Sequence, residues 1–179
     1  MSGRMNASEC IVFTESQLVQ RDSRVPTGVD SQGELPNDGG MEKIIYPRSP
    51  RETMSGWVYL PRFVDKTRLH LAGKLHPDYQ ENFTRGFDGA WLKAAGVTAE
   101  TFIEVVKNSV TDGEVADWVA KNVKKSEADK KAFAEFVLNR GREEESKARL
   151  KMRKEEAGLA SRDDLQTFVD FIDADEKRI

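Results

Sequence analysis

The sequence predicts an all-α protein: a small multi-helix bundle with a disordered N-terminal leader and a charged C-terminal helical extension. Three observations lead to this fold class. Several Ser and Thr residues stand directly before apolar residues that recur at helical spacing, as helix N-caps do. One late segment combines strong helix formers with opposite charges four residues apart. We find no convincing strand pattern and no internal repeat.

Residues 1–40 have the composition of a disordered leader. They are rich in Ser, Gly, Asp, Asn and Gln, lack sustained periodicity, and end in Pro-Asn-Asp-Gly-Gly. Met41 then begins a segment that reads like the start of a protein. We therefore hypothesise that Met41 is the natural first residue and that the leader is an addition.

The segment 47–73 contains the sharpest helix-start signals. Ser49–Glu52 matches a capping box with proline at the first helical position, which predicts a helix start. This helix should be short because of Gly56 and Pro61. Pro61 in turn predicts a second helix that runs to Leu71 and ends at Gly73. Its apolar face would comprise Leu60, Phe63, Val64, Thr67 and Leu71.

Four further helices are predicted after a loop at 74–86, each from a cap and an apolar stripe. One begins at Asp88 and runs through Ala95 to Gly96, and the next begins at Thr98. The other two begin at Thr111, with a capping box to Glu114, and at Ser126, ending near Gly141. Their inward residues would be Phe102, Ile103, Val105 and Val106, then Val115, Trp118, Val119 and Val123, then Phe133, Phe136 and Val137.

Residues 142–157 predict an exposed helix or helical linker, with ion pairs Glu143–Lys147 and Glu145–Arg149. Its few candidates for burial are Ala148, Leu150 and Met152. A last helix should begin at Ser161 with an apolar face of Leu165, Phe168, Val169 and Ile172. We therefore divide the chain into a leader (1–40), a helical domain (41–140), a charged helix or linker (141–160) and a C-terminal helix that packs on the domain (161–179).

Composition restricts the function classes. Hydrophobic residues make up 38% of the chain and charged residues 33%, and no apolar run approaches the roughly 20 residues that span a bilayer. With no secretory signal and a single cysteine, Cys10, we expect a cytoplasmic protein without disulfides or a cysteine-rich metal site. The net charge of −3 lies in the leader, because residues 41–179 carry 25 basic and 25 acidic side chains.

The densest basic patch comprises Arg48, Arg51, Arg62, Lys66 and Arg68. Arg62 and Lys66 are one helical turn apart and share a face. Arginine forks suit phosphate or carboxylate groups, so the patch predicts an anion or partner site. The alternative is a structural ion-pair lattice, because Asp65 lies three residues from both Arg62 and Arg68.

Aromatic residues interleave with this patch: Trp57, Tyr59, Phe63, Tyr79, Phe83, Phe87 and Trp91. Stacking on single-stranded bases beside arginines is one use of such a pattern. Core packing is the more common one. We expect Trp57, Phe63 and Trp91 in the core, and Tyr59 and Tyr79 on a surface.

Catalytic and metal-binding motifs are weak. Asp65 and Lys66 form a candidate acid–base or nucleophile pair, although adjacent helical residues point about 100° apart. His70 and His76 do not have a zinc-ligand spacing. We find no phosphate-binding glycine loop, nucleophile elbow or paired-carboxylate motif, and we predict no cofactor, metal ligand or catalytic residue.

The sequence resembles the bacterial domain of unknown function 5069 family over roughly residues 44–176. The similarity lies in Pro47-Arg48-Ser49-Pro50-Arg51, Leu60-Pro61-Arg62, Asp65-Lys66 and Arg68, and continues through Gly96, Phe102, Thr111-Asp112, Trp118 and the ending DDLQTFVDFIDADE. The resemblance implies a small helical domain in a bacterium. It brings no activity and no catalytic residues.

Taken together, the sequence predicts a non-enzymatic cytoplasmic interaction module that presents a basic face to an acidic protein or a phosphate-bearing ligand. The residues of this face are Arg48, Arg51, Tyr59, Arg62, Asp65, Lys66 and Arg68. The alternatives are a nucleic-acid-binding accessory protein that uses the same face, and a small enzyme that uses Lys66 and Asp65.

Overall fold

A computed structural model describes residues 44–179, and the predicted leader and Met41 lie outside this range. The described part is all-α, as predicted, apart from one short hairpin. The hairpin strands are β1 (Thr53–Met54) and β2 (Trp57–Val58). The helices are α1 (Leu60–Leu71), α2 (Pro77–Gln80), α3 (Gly86–Ala95), α4 (Ala99–Lys107), α5 (Asp112–Asn122), α6 (Glu127–Asn139), α7 (Glu144–Glu156) and α8 (Phe168–Asp175).

The hairpin stands where the sequence predicted the first helix, so that prediction is wrong. The Ser49 hydroxyl accepts a hydrogen bond from the Arg51 amide (3.2 Å), which closes a turn instead of capping a helix. Ser55 and Gly56 both have positive φ, +52° and +78°. Two such residues form a type I′ turn, whose twist fits an antiparallel two-residue connection and breaks a helix.

Helix α1 confirms the predicted start beside Pro61 and the end before Gly73, whose φ is +66°. Four of the five residues predicted for its apolar face are buried, and Leu71, on the last turn, is 43% exposed. Residues 77–80 of the predicted loop form the single-turn helix α2. In α1, the face formed by Leu60, Phe63, Val64 and Thr67 therefore packs into the core of the domain.

Helix α3 begins at Gly86, two residues before the predicted cap Asp88. Asp88 is fully buried and accepts a hydrogen bond from the Thr84 amide, so it lies within the first turn of the helix. The predicted end is confirmed, because Gly96 has a φ of +74° and its amide donates to the carbonyls of Leu92 and Lys93.

The predicted caps of α4, α5 and α6 are confirmed at Thr98, Thr111 and Ser126, the last two with full capping boxes. Four predicted core residues of these helices are less buried than expected. Ile103, Val105 and Trp118 are half-buried, and Phe136 is 40% exposed. A helix stripe of four positions is wider than the face that its neighbours cover, so the flanking residues stay partly in solvent.

Helix α7 lies within the predicted segment, but the two predicted ion pairs do not form. The Glu143 carboxylate instead accepts a hydrogen bond from Ser146 (2.8 Å), and Lys147 pairs with Glu144 (2.8 Å). Of the three burial candidates only Leu150 is buried.

Helix α8 begins after a capping box at Thr167 and not at Ser161, because residues 161–166 form turns. Leu165 is buried just ahead of it, and the Phe168 amide donates to the Arg140 carbonyl (2.8 Å). The helix contacts α6 and α7.

The core is aromatic at its centre. Trp57, Phe63 and Trp91 are fully buried, as predicted. The Phe63 and Phe102 rings stack with centroids 4.4 Å apart, and the Trp57 and Trp91 rings meet edge to face at 5.9 Å.

Within residues 44–179, no helix combines the length and the apolar character needed to cross a membrane.

Candidate functional site

Two basic residues of the predicted face point into the domain. Arg62 is 2% exposed and Lys66 is 4% exposed. They lie one turn apart on the inner side of α1, so the helix that buries Phe63 and Val64 buries them as well. A buried charge needs a partner of opposite sign, and each of these residues has one.

Glu176, which follows α8, is the partner of Arg62. Its carboxylate receives Nη1 at 3.0 Å and Nη2 at 2.5 Å, and it also accepts hydrogen bonds from the Tyr79 hydroxyl and from Arg178. Arg62 further donates to the Arg48 carbonyl (2.8 Å), and its guanidinium lies over the Tyr79 ring at 5.5 Å.

These contacts decide the charge states of the pair. Burial lowers the pKa of Arg62, but the Glu176 carboxylate outweighs it and holds that pKa above its ordinary value. Burial raises the pKa of Glu176, and the hydrogen bonds from Arg62 outweigh it, so the pKa of Glu176 falls below its ordinary value. Both groups are therefore charged at neutral pH.

Asp88 is the partner of Lys66. One carboxylate oxygen accepts from Lys66 Nζ (2.5 Å) and from the Thr84 amide (3.0 Å), and the other accepts from the Tyr59 hydroxyl (2.7 Å). Burial lowers the pKa of Lys66 and raises the pKa of both Asp88 and Tyr59. Tyr59 therefore remains a hydroxyl donor.

Asp88 also holds two strained backbone positions. Tyr59 and Thr84 have φ angles of +72° and +62°, in the left-handed region that bulky side chains rarely adopt. Each donates a hydrogen bond to this carboxylate, Tyr59 through its hydroxyl and Thr84 through its amide. The buried carboxylate thus fixes both the entry to α1 and the turn before α3.

A second charged group lies nearer the surface. Arg48 binds both carboxylate oxygens of Asp65 (2.8 Å each) and one oxygen of Asp112 (2.7 Å). Arg68 binds the other oxygen of Asp112 (2.6 Å). We call this convergence of Arg48 and Arg68 on Asp112 the arginine clamp. Burial raises the pKa of Asp112, but the two guanidinium groups outweigh it and lower that pKa below its ordinary value.

Arg51 is the most exposed member of the predicted face, with 48% of its side chain accessible. It contacts the carboxylates of Asp170 and Asp173 on α8, the latter at 3.3 Å. The Ser49 hydroxyl donates to the same Asp173 (2.9 Å). Helix α8 therefore supplies acidic partners to the turn at 49–52.

The structure divides the seven predicted residues into two groups. Arg48, Arg51, Asp65 and Arg68 reach the surface, whereas Tyr59, Arg62 and Lys66 are buried. The expected surface position of Tyr59 is wrong, because its hydroxyl finds its partner inside the domain. The alternative prediction, a structural lattice of ion pairs, describes these contacts. Its partners differ from the predicted ones, because Asp65 pairs with Arg48 instead of Arg62 or Arg68.

The carboxylate partners are the residues that the sequence interpretation missed. They are Asp88, Asp112, Asp170, Asp173 and Glu176. The last three recur every third residue at the end of the chain, a spacing that puts them near one face of a helix. That spacing was the available signal. Asp88 and Asp112 gave no comparable one, because each lies at the start of a helix, where acids are common.

Two cavities on the described part of the chain bear on the candidate catalytic residues. A groove of about 700 Å³ lies between α4 and α5, and a second of about 410 Å³ is lined by His70, Gly73, Leu75, Gln80 and Phe83. Neither is lined by Lys66 or Asp65. Among residues 44–179 no group of three or more His, Cys, Asp or Glu side chains is placed to hold a metal ion.

The fold and these contacts define a helical domain whose interior cations are paired with carboxylates from distant parts of the chain. Residues 44–178 match the domain of unknown function (DUF5069), and the chain belongs to this family. This match confirms the resemblance inferred from the sequence. A comparison with curated proteins finds no match.

Proposed function

We propose that the chain is a non-enzymatic interaction module of the bacterial cytoplasm that binds an acidic or phosphate-bearing partner at the arginine clamp. The observation that carries this proposal is the convergence of two guanidinium groups, from Arg48 and Arg68, on the single carboxylate of Asp112. Two converging arginines are a chemistry that selects carboxylate and phosphate oxygens.

The clamp is accessible to a partner. About a third of each arginine side chain and 37% of the Asp112 side chain are exposed. Asp112 is the first residue of α5, where the helix dipole favours negative charge. A phosphate carries more charge than a carboxylate, so it would compete with Asp112 for the guanidinium groups. Arg51, three residues after Arg48, adds a third guanidinium group to this surface, where it contacts Asp170 and Asp173.

The pairing of Lys66 supports a non-enzymatic function over the enzyme alternative. Lys66 contacts Asp88 and Asp65 contacts Arg48, so the two candidate catalytic residues do not act on a common site. Lys66 is also almost fully buried and lines neither cavity.

The balance of charge supports a local anion site over a nucleic-acid-binding face. Six cations of this region (Arg48, Arg51, Arg62, Lys66, Arg68 and Arg178) contact six carboxylates (Asp65, Asp88, Asp112, Asp170, Asp173 and Glu176). Non-specific nucleic-acid binding requires many unneutralised cations that contact the phosphate backbone of the nucleic acid, and its affinity falls steeply as the salt concentration rises.

The test is a pull-down from bacterial lysate with the wild-type protein beside an Arg48→Gln/Arg51→Gln/Arg68→Gln variant, with and without nuclease. An Arg142→Gln/Arg149→Gln variant is the control, since both arginines are exposed and lie outside the clamp. We expect a protein or ligand that the wild type and control retain and the clamp variant loses. Capture that nuclease abolishes would favour the nucleic-acid alternative, and equal capture by all three baits would refute the clamp.

A second variant tests the competition directly. Asp112→Asn removes the internal anion while leaving both arginines, so affinity for the acidic partner should rise. Asp117→Asn on the same helix is the matched control, because Asp117 is exposed and has no ion pair in the described chain. If Asp112→Asn weakens binding while both variants keep their fold, the clamp is structural.

A further inference from the structure

A groove on the described part of the chain differs in composition from the arginine clamp. It runs between α4 and α5, has a volume of about 700 Å³, and is lined by Glu100, Thr101, Glu104, Val105, Asn108, Ser109, Glu114 and Trp118. This volume lies within the range typical of ligand sites. None of these eight lining residues is a cation.

The groove has an apolar part. Val105 and Trp118 line it and are both half-buried, although the sequence pattern placed them in the core. Val110, which follows the lining residue Ser109, is 87% exposed. Tryptophan is enriched among the residues that anchor protein interfaces, so Trp118 is the candidate anchor of this groove.

Three carboxylates surround this apolar part. Glu100 has no ion pair in the described chain, Glu104 pairs with Lys107 at 3.3 Å, and Glu114 accepts from the Val110 and Thr111 amides. Hydrogen bonds from Asn108 and from the Thr111 backbone keep the pKa of Glu104 and of Glu114, respectively, below their ordinary values. Lys107 is the partner of Glu104, and Arg68, which lowers the pKa of Glu114, is itself bound by Asp112. The groove therefore retains net negative charge.

We propose that the α4–α5 groove binds a short basic, amphipathic segment of a partner protein. An apolar side chain of the segment packs against Val105 and Trp118, and flanking Lys or Arg side chains face Glu100 and Glu104. An arginine of the segment also stacks favourably on an indole ring. Charge complementarity decides the occupant, because an acidic segment would meet three like charges. This site does not depend on the arginine clamp, which selects the opposite charge.

The experiment uses a fluorescein-labelled helical peptide with Leu on one face and Lys on the other, and measures anisotropy with the full chain. Two matched peptides serve as controls: one carries Glu in place of every Lys, and one carries Ser in place of every Leu. We expect the first peptide to bind and both controls to bind at least about tenfold more weakly. No binding of the first peptide by the wild-type protein, or equal binding of all three, would overturn the proposal.

Variants then locate the site. Glu100→Lys/Glu104→Lys should weaken binding about tenfold or more, whereas Glu144→Lys/Glu145→Lys should not. Both variants change the charge by the same amount. In each, one glutamate pairs with the lysine three residues later (Glu104 with Lys107, Glu144 with Lys147), and the other glutamate has no ion pair in the described chain. Hydrogen exchange should show peptide-dependent protection within residues 99–122. Equal weakening by both variants, or protection elsewhere, would mean non-specific attraction and would refute the groove.

Discussion

Arg62 and Glu176 form a two-point ion pair, with nitrogen–oxygen distances of 3.0 and 2.5 Å, between residues 114 positions apart in the sequence. Their side chains are 3% and 1% exposed. The pair joins α1 to the residue that follows α8, and Arg62 also holds the carbonyls of Pro47 and Arg48. Both ends of the described chain therefore depend on one guanidinium group for their position.

Removing one partner of this pair should destabilise the fold strongly. Arg62→Ala leaves the Glu176 charge buried without its main partner, which typically costs about 3–5 kcal/mol. Glu176→Gln should also destabilise, because it leaves the buried guanidinium with a neutral acceptor. Urea denaturation followed by circular dichroism measures both.

The matched control is Arg149→Ala on α7, an exposed arginine without an ion pair in the described chain. Its denaturation midpoint should stay close to that of the wild type. An Arg62→Ala midpoint that moves no further than the control would show that solvent or another cation satisfies Glu176.

The same pair predicts a pH dependence. The pKa of Glu176 in the folded protein lies below its ordinary value of 4.5, so its contribution to stability is fully present above that pH. The contribution is lost as the pH falls through the folded-state pKa. The difference in unfolding free energy between wild type and Glu176→Gln should therefore shrink as the pH falls below 4.5.

Unfolding free energies measured from pH 7 to pH 3 check this prediction. Asp117→Asn serves as a comparison, because Asp117 is exposed and has no ion pair in the described chain, and its effect should be small throughout. A wild-type to Glu176→Gln difference that stays constant down to pH 3 would contradict the assignment of a charged Glu176.

Local signals predicted most of the helices. The caps at Thr98, Thr111 and Ser126 lie within four residues of the groups that they bind, so the sequence contains the whole interaction. The same signal at Ser49 was wrong, because the turn at Ser55 and Gly56 fixes a hairpin and the serine then closes a local turn. Local capping chemistry cannot distinguish these two outcomes.

The candidate site could be predicted only in part. A basic cluster was visible in the sequence, but the burial of Arg62 and Lys66 depends on Glu176 and Asp88, which lie 114 and 22 residues away. No spacing rule connects residues at such distances. The sequence therefore predicts exposure for Arg62 and Lys66, because the charged positions of an amphipathic helix are exposed in most proteins.

Trp118 and Trp91 should differ in their contribution to stability. The sequence pattern placed Trp118 in the core, but it is half-buried at the α4–α5 groove, whereas Trp91 is fully buried among three aromatic rings. Trp91→Ala should cost about 3–5 kcal/mol, as a large-to-small core substitution does. Trp118→Ala should cost clearly less. Equal losses in thermal or urea denaturation would place Trp118 in the core after all.

Gly141 and Gly158 provide a matched pair that separates backbone strain from steric conflict. Both have positive φ, +115° and +69°. A Cβ atom at Gly141 would lie 2.9 Å from Leu150 Cδ2 and 3.0 Å from Thr167 Cα, whereas one at Gly158 would meet nothing within 4 Å. Gly158→Ala should therefore cost about 1–2 kcal/mol from its left-handed conformation alone.

Gly141→Ala should cost more than Gly158→Ala, by a further ~1–3 kcal/mol, because overpacking adds to the strain. The Thr167 contact is with backbone that caps α8, so a side-chain rotation cannot relieve it. A second substitution, Leu150→Val, removes the atom nearest the new methyl group but not the Thr167 conflict, and it should not restore stability. Equal losses for the two glycine variants in urea denaturation would show that the segment before α8 adjusts freely, and that Gly141 is required only for its φ angle.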